Sequence, residues 1–163
     1  MKIFQLLFLI TFLSGRASAA LPATPPAADR EQVLQIVQSF FDALAKHDGA
    51  ALQTLYAPGS QVTAGPRPGT NPPALRQRLV EADVAWLNTS KDQLLERMWN
   101  PTVLLEGGIA VVWTPYDFHR NGKFSHNGID VFTLMKLNGV WKIVGTVYSV
   151  EPEPPSRNPA GSL

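Results

Sequence analysis

The sequence predicts an α+β domain in which three helices precede a long antiparallel meander and cover one face of it. Apolar residues of the first half, up to about residue 86, recur at three-four spacing, the period of an amphipathic helix. From about residue 94 to 150 they alternate with polar residues, the period of a strand. Asn121-Gly122 and Asn138-Gly139 interrupt the alternating half, and Asn-Gly between such runs is a strong hairpin signal. Helices followed by hairpins indicate the α+β class.

Three helices are expected between residue 29 and about residue 86. Asp29 is a suitable N-cap for the first, and Gly49 is a natural residue to end it. The stripe of the first helix consists of Val33, Ile36, Val37, Phe40, Phe41 and Leu44. A short second helix is predicted over 50–56. The third begins at Pro72-Pro73, because proline is tolerated in a first turn. Its predicted inner face consists of Leu75, Leu79, Ala82 and Trp86.

Four long strands follow, with one short strand expected earlier, near Val62. The long strands are predicted over 94–105, 109–118, 124–137 and 140–150. The two Asn-Gly turns each contain two residues, so they define the register of the hairpins. The first places His126 opposite Asp117 and Asp130 opposite Trp113. The second places Phe132 opposite Gly145 and Leu134 opposite Ile143.

Sequence patterns divide the chain into four segments. Residues 1–19 resemble a signal peptide, with Lys2, an apolar run over 3–13 and the cleavage pattern Ala17-Ser18-Ala19. Residues 20–28 form a Pro/Ala linker, residues 29–150 the folded domain, and residues 151–163 a disordered Pro-rich tail. We therefore expect a secreted or periplasmic protein that is cut after Ala19. It contains no cysteine, so its stability depends on an apolar core rather than on disulfides.

Charge and hydropathy narrow the class of partner. The formal net charge is +1, whereas a nucleic-acid-binding domain would carry a basic patch. No apolar run after residue 19 approaches the roughly 20 residues that a transmembrane helix needs. We therefore expect a small molecule as partner, with no nucleic acid and no membrane in the mature form. Both faces of the predicted sheet are apolar while the helices cover one, so the other is expected to form a homodimer.

The segments "FFDALAKHDGAALQTLYAP", "GIAVVWTPYDF" and "SHNGIDVFTLMKLNGVWKIVGTVYS" together resemble the nuclear transport factor 2-like superfamily. Within it the chain looks most similar to SnoaL-like, exported bacterial members. The resemblance implies a cone-shaped, strongly curved sheet wrapped around the helices, with an apolar cavity at one end. Relatives use such a cavity as isomerases, dehydratases or cyclases, or only to bind ligands. No relative's complete set of catalytic residues transfers to this sequence position by position.

The candidate catalytic residues are His126, Asp130 and Asp117. A carboxylate across the strand from an imidazole orients it and raises its basicity, which suits a general base. Trp113 opposite Asp130 would desolvate that carboxylate and raise its pKa. The alternative is structural: Asp117 lies near a hairpin end, and the other polar groups can bond to the backbone or to Arg97. The candidate ligand-binding residues are Trp113, Gly128, Phe132, Trp86, Phe40 and Arg97.

Two functions remain open at this point. The favoured one is a non-catalytic, small-molecule-binding domain with a His/Asp cluster in its cavity. The alternative is a cofactor-free enzyme that uses His126, with Asp117 or Asp130, for acid-base chemistry on a small apolar substrate. Metal binding is not indicated, because the histidines His47, His119 and His126 lack metal-ligand spacing. No cofactor motif is present in the sequence.

Overall fold

The computed structural model describes residues 27–153 as three helices packed against one curved, unclosed sheet. The helices are α1 (Ala27–Lys46), α2 (Gly49–Leu55) and α3 (Val80–Thr89). The strands are β1 (Tyr56–Ala64), β2 (Arg76–Leu79), β3 (Leu94–Met98), β4 (Thr102–Glu106), β5 (Ile109–Arg120), β6 (Lys123–Leu137) and β7 (Val140–Tyr148). The predicted α+β class is confirmed. The predicted signal peptide lies outside the described residues, as do 20–26 and 154–163.

The sheet is mixed rather than wholly antiparallel. Its strand order is β2-β1-β7-β6-β5-β3, and β4 also pairs with β5. Strand β1 runs parallel to β7, while the other pairings are antiparallel. The segment before β3 therefore contributes two strands instead of the single short one expected near Val62. The strand expected near Val62 is confirmed as β1, in which the alternate residues Ser60, Val62 and Ala64 are buried.

The segment 94–105 forms two strands, not the single one predicted. Asn100 adopts a left-handed backbone with φ of 48°, and Pro101 follows it. Proline has no N–H to donate to a strand ladder, so the pairing is interrupted here. As a result, β3 pairs with the end of β5 and β4 with its beginning.

Helix α1 buries the predicted stripe. Val33 and Val37 are fully buried, Phe41 is almost so, and Phe40 packs edge-on against Phe132 with ring centroids 5.1 Å apart. The helix ends at Lys46 rather than near Gly49, because His47 adopts a left-handed backbone with φ of 55°. Gly49 instead begins α2 and lies buried against the side chain of Asn88. No helix within residues 27–153 is long and apolar enough to cross a membrane.

The third helix begins eight residues later than predicted. Residues 76–79 pair with β1, with Gln61 opposite Leu79, so this stretch becomes β2 and the helix starts at Val80. Leu75 and Leu79, predicted on the inner face, are 64% and 49% exposed. Strand pairing with β1 therefore outweighs the helix-start signal of the two prolines.

A bulge in β6 changes the predicted pairing between β5 and β6. Arg120 faces Lys123 across the expected two-residue turn, in which Asn121 and Gly122 both have positive φ. The register then shifts by one residue at Ser125, so that Phe118 faces His126. The predictions that Asp117 faces His126 and that Trp113 faces Asp130 are therefore wrong. A one-residue shift moves a whole set of side chains to the other face.

A second bulge, in β7, has the same effect on the last hairpin. Leu134 faces Ile143, as predicted, but the register shifts beyond this pair and Phe132 faces Thr146 instead of Gly145. Together the two bulges determine which side chains face the helices. The concave face carries Thr114, Tyr116, Phe118, His126, Asp130, Phe132, Thr146 and Tyr148. Trp113, Asp117 and Val147 lie on the outer face, contrary to the prediction.

Gly128 provides space for the chain that follows β7. A Cβ atom on Gly128 would lie 2.5 Å from the carbonyl oxygen of Ser149 and 2.7 Å from its Oγ. The same carbonyl accepts a hydrogen bond of 2.7 Å from the hydroxyl of Tyr116. Gly128 is a predicted ligand-binding residue, but the chain that follows β7 fills the space beside it.

We predict that Gly128→Ala lowers the free energy of unfolding by about 1–3 kcal/mol, because the added methyl group collides with backbone that cannot move freely. Gly145→Ala is the control, since its Cβ would meet nothing closer than 3.8 Å. Urea denaturation of both variants measures the difference. Equal stabilities would contradict the close approach at Gly128.

Candidate ligand-binding site

A cavity of about 590 Å³ lies between the helices and the concave face of the sheet. Small-molecule sites commonly fall in the range of about 300–1,000 Å³. Its inner end is formed by buried residues of every layer: Leu52, Tyr56, Val62, Val80, Leu94, Asp130 and Thr146. Its mouth is formed by exposed side chains: Arg67, Arg76, Gln77, Ala82, Trp86 and Arg120. The cavity is therefore apolar at depth and polar at its opening.

The inner end contains a hydroxyl pair that the fold satisfies internally. The hydroxyl groups of Tyr56 and Thr146 lie 2.9 Å apart and are both buried. Burial is the main cause of a raised pKa for Tyr56, so this phenol stays neutral across the physiological range. Tyr56 thus offers a neutral polar group beside the ring of Phe40, whose centroid is 6.3 Å away.

Two carboxyl groups, those of Glu96 of β3 and Asp130 of β6, come within hydrogen-bonding reach of each other on the inner wall. Asp130 is 3% exposed, whereas Glu96 keeps some accessible surface and lines the cavity. Oδ2 of Asp130 is buried, and no hydrogen-bond donor among residues 27–153 reaches it. A bond between two carboxyl groups requires a proton, because an ionised carboxylate can only accept.

The surroundings of this pair hold that proton in place. Burial is the largest cause of the change at Glu96 and raises its pKa to about 8. Burial, followed by the negative charge of Glu96, raises the pKa of Asp130 well above its usual range. Two like charges at close range in a low-dielectric site cannot both be ionised cheaply. At neutral pH the pair therefore presents carboxylic acid groups, which can donate hydrogen bonds.

His126 lies on the cavity wall, but no carboxylate orients it. Its ring packs against Tyr116 and Phe118, at centroid distances of 5.8 and 5.1 Å, and its Nδ1 lies 3.0 Å from Oγ of Ser125. Burial, followed by the positive charges of two arginines at the mouth, lowers the pKa of His126 to about 4. The imidazole is therefore neutral at physiological pH.

Asp117 belongs to a separate cluster on the outer face. Nε of Arg97 donates to Oδ1 of Asp117 at 2.9 Å, Nη2 donates to Oδ2 at 2.5 Å, and Nε2 of His119 lies 3.4 Å from Oδ2. Burial opposes ionisation of Asp117, but the bidentate bonds from Arg97 outweigh it and lower the pKa. The predicted Asp117–His126 pair does not form, and Arg97 partners Asp117 instead of a cavity residue.

The other candidate residues divide between cavity, core and surface. Phe40 and Trp86 line the cavity together with His126 and Asp130, as the predicted site requires, and their role in binding stays a prediction. Phe132 is fully buried in the core, and Trp113 is on the outer face, 44% exposed. No group of three or more histidine or carboxylate side chains within residues 27–153 is placed to hold a metal ion.

A family model described as putative lumazine-binding matches residues 28–149, which is nearly the whole described domain. The chain belongs to this family. Among proteins of curated function, no match was found.

Solved structures place this putative lumazine-binding domain in the nuclear transport factor 2-like (NTF2-like), cystatin-like fold. A protein of unknown function from Nostoc punctiforme has a TM-score of 0.63 at 15% identity, over 80% of this chain and 96% of its own. The β subunit of a putative aromatic-ring-hydroxylating dioxygenase from Novosphingobium aromaticivorans has a TM-score of 0.64 at 11% identity, over 78% and 92%. A putative dehydratase of the NTF2-like family from Streptomyces avermitilis has a TM-score of 0.58 at 15% identity, over 76% and 96%. At such identities the likeness shows the fold alone.

Among the cavity residues that the sequence does not indicate are Glu96 and Tyr56. Glu96 is the one acidic residue within the apolar segment "LLERM", which is an anomaly that could have singled it out. The sequence does not assign its face, because its pattern predicts β3 and β4 as one strand. The same pattern predicts Tyr56 at the end of a helix, whereas Tyr56 begins β1 and lines the cavity.

We predict that the free energy of unfolding falls as pH rises from about 6.5 to about 8. In this pH range Glu96 and Asp130 are protonated in the folded protein but ionised in the unfolded chain. The slope should be about 1.4 kcal/mol per pH unit for each proton that only the folded protein retains. His126 acts in the opposite sense and only below its ordinary pKa of 6.5, because its folded form resists protonation. Urea titrations at successive pH values measure the slope.

Glu96→Gln should flatten this slope, since it removes one proton-binding group from the pair. Glu106→Gln changes an exposed glutamate outside the cavity and should keep the wild-type slope. A wild-type stability that stays constant over this pH range would contradict the shared proton.

Proposed function

We propose that this member of the putative lumazine-binding family is an exported protein that binds a small molecule in the cavity without transforming it. The observation that carries the proposal is the cavity of about 590 Å³, apolar at depth and furnished with one pair of carboxyl groups. Export, and the SnoaL-like placement that goes with it, rest on the signal-peptide pattern of residues 1–19 and on the strand pattern. The secreted or periplasmic location is part of the same proposal.

The chemistry of the inner wall favours a ligand with hydrogen-bond acceptors on an apolar, ring-like body. Glu96 and Asp130 retain protons and can donate, while Phe40 and Trp86 provide aromatic surface. The family description names lumazine, a fused heteroaromatic ring system that carries carbonyl oxygens and ring nitrogens. A protonated carboxyl group is a suitable donor to such acceptors. Binding of this kind requires no cofactor, and the net charge of +1 favours neither nucleic acid nor membrane as partner.

A cofactor-free enzyme is the second candidate, and the raised pKa of Glu96 is the observation that favours it. A carboxyl group that titrates near neutral pH can both accept and donate a proton, as acid-base catalysis requires. The original form of this hypothesis, with His126 activated by Asp117, fails because the two residues lie on opposite faces. Deuterated water separates the candidates: 2-tetralone, an apolar ketone, exchanges its α-hydrogens on an enzyme and retains them on a binding protein.

We predict that N-phenyl-1-naphthylamine, a neutral apolar probe, becomes fluorescent on binding to the wild-type protein. Ala82→Phe should weaken this binding at least about tenfold, because the new ring occupies the cavity mouth that Ala82 lines. Ala85→Phe adds the same ring at an exposed position of α3 outside the cavity and serves as the control. Equal affinities of the two variants would show that the probe binds elsewhere.

We further propose that two copies associate through the outer face of the sheet. Of the ten large apolar residues that are exposed within residues 27–153, seven lie on this face, on β4 to β7 or at their ends, among them Leu104, Trp113, Met135 and Val147. An apolar patch of this kind is typical of a protein interface. A two-fold dimer covers it with an identical surface.

Sedimentation equilibrium should therefore give the native mass of a dimer. Trp113→Glu should produce a monomer, because it buries an unpaired charge in the centre of the proposed interface. Leu75→Glu changes an apolar residue that is 64% exposed but off the sheet, and should stay dimeric. A monomeric wild-type protein would contradict the proposal.

A further inference from the structure

Within residues 27–153, four arginines line the cavity, and two of them are neutralised by carboxylates. Arg78 forms an ion pair with Asp83, and Arg120 forms one with Asp92. Arg67 and Arg76 also line the mouth but contact no carboxylate among residues 27–153. Both are exposed, so their guanidinium groups are available to a ligand.

The two unpaired arginines approach the same part of the mouth from different elements. Arg76 begins β2 opposite Ala64 of β1, while Arg67 lies in the loop that connects these strands. The carbonyl oxygen of Arg67 accepts bonds from the N and Oγ1 of Thr70, at 3.2 and 2.7 Å, so this loop is folded back on itself. Arg67, Arg76 and His126 all line the cavity, and both positive charges are near enough to His126 to lower its pKa.

No acidic group of the cavity balances these two charges. Three carboxyl groups line it: Asp83, which is paired with Arg78, and the pair Glu96 and Asp130, which retains protons. Within the described residues, the cavity is therefore neutral at depth and cationic at its mouth. Guanidinium groups bind oxyanions through two parallel hydrogen bonds, and an adjacent neutral imidazole can donate a third.

We propose that the ligand carries an oxyanion, such as a carboxylate or a phosphate, which Arg67 and Arg76 bind at the mouth beside His126. Its uncharged, ring-bearing body then occupies the cavity and reaches the carboxyl pair. This inference rests on the proposed function and specifies the class of ligand: an amphipathic small molecule with one anionic end.

A matched pair of naphthalene probes tests the inference. 2-Naphthoate and 2-naphthamide have nearly the same shape and differ in charge, and both displace N-phenyl-1-naphthylamine if they enter the cavity. We expect 2-naphthoate to bind at least about fivefold more tightly than 2-naphthamide, because only the carboxylate forms charged hydrogen bonds with the arginines at this partly exposed site. Its affinity should fall as salt is added, whereas that of the amide should not. 2-Naphthyl phosphate, in the same assay, distinguishes a preference for phosphate from one for carboxylate.

The double variant Arg67→Gln/Arg76→Gln should bind 2-naphthoate no better than 2-naphthamide. Arg30→Gln removes an exposed arginine of α1 outside the cavity and should keep the wild-type preference. Melting temperatures verify that the variants are folded. The salt series tests the inference on the wild-type protein alone.

Three results would overturn the inference, and they differ in whether the proposed function fails as well. If the neutral reporter binds and the two naphthalene probes bind equally, the anion site is wrong while the proposed function stands. If none of the probes binds, the proposed function fails and the inference fails with it. A wild-type preference that persists in the double variant would also overturn it, by locating the anion elsewhere.

Discussion

The register between β5 and β6 is the constraint on which the rest of the molecule depends. These strands form the longest pairing of the sheet, and the single extra residue at Ser125 shifts it by one position. The shift places His126 on the same face as Tyr116, towards the helices, and leaves Asp117 on the other face. On that outer face Asp117 lies opposite Arg97 of β3. The bulge thus separates two polar clusters, a neutral one inside the cone and a charged one on its outer face.

The charged and neutral clusters show two solutions to burying a carboxyl group. Asp117 stays ionised because Arg97 supplies two hydrogen bonds, so the cost of burial is offset by a partner of opposite charge. Asp130 has Glu96 as its neighbour, and the cost is avoided by keeping a proton. A buried pair of carboxyl groups stabilises the folded state less at neutral pH than apolar residues in the same place would. We infer that the pair is retained for what it does to a ligand.

The sequence was sufficient for the fold class and for α1, because long, strongly periodic segments determine both. It was sufficient for the turns as well, since Asn121-Gly122 and Asn138-Gly139 adopt the positive φ values that their residues favour. It could not supply the register, because no residue type marks the bulge at Ser125. It placed His126 and Asp130 in the cavity but missed Glu96, whose position depends on the break at Pro101. Local sequence patterns thus predict individual helices and strands. A site whose residues come from three strands also depends on how those strands pair, which local patterns do not determine.

The central claim is that Glu96 and Asp130 hold protons at neutral pH inside the cavity. Carbon-13 NMR of the two side-chain carboxyl carbons, followed as a function of pH, tests it most directly. We expect both carbons to show the chemical shift of a protonated acid at neutral pH and to titrate together at higher pH, since the two groups interact. The Glu96→Gln variant assigns the signals. Two fully ionised carboxylates at neutral pH would contradict the account of the cavity given above.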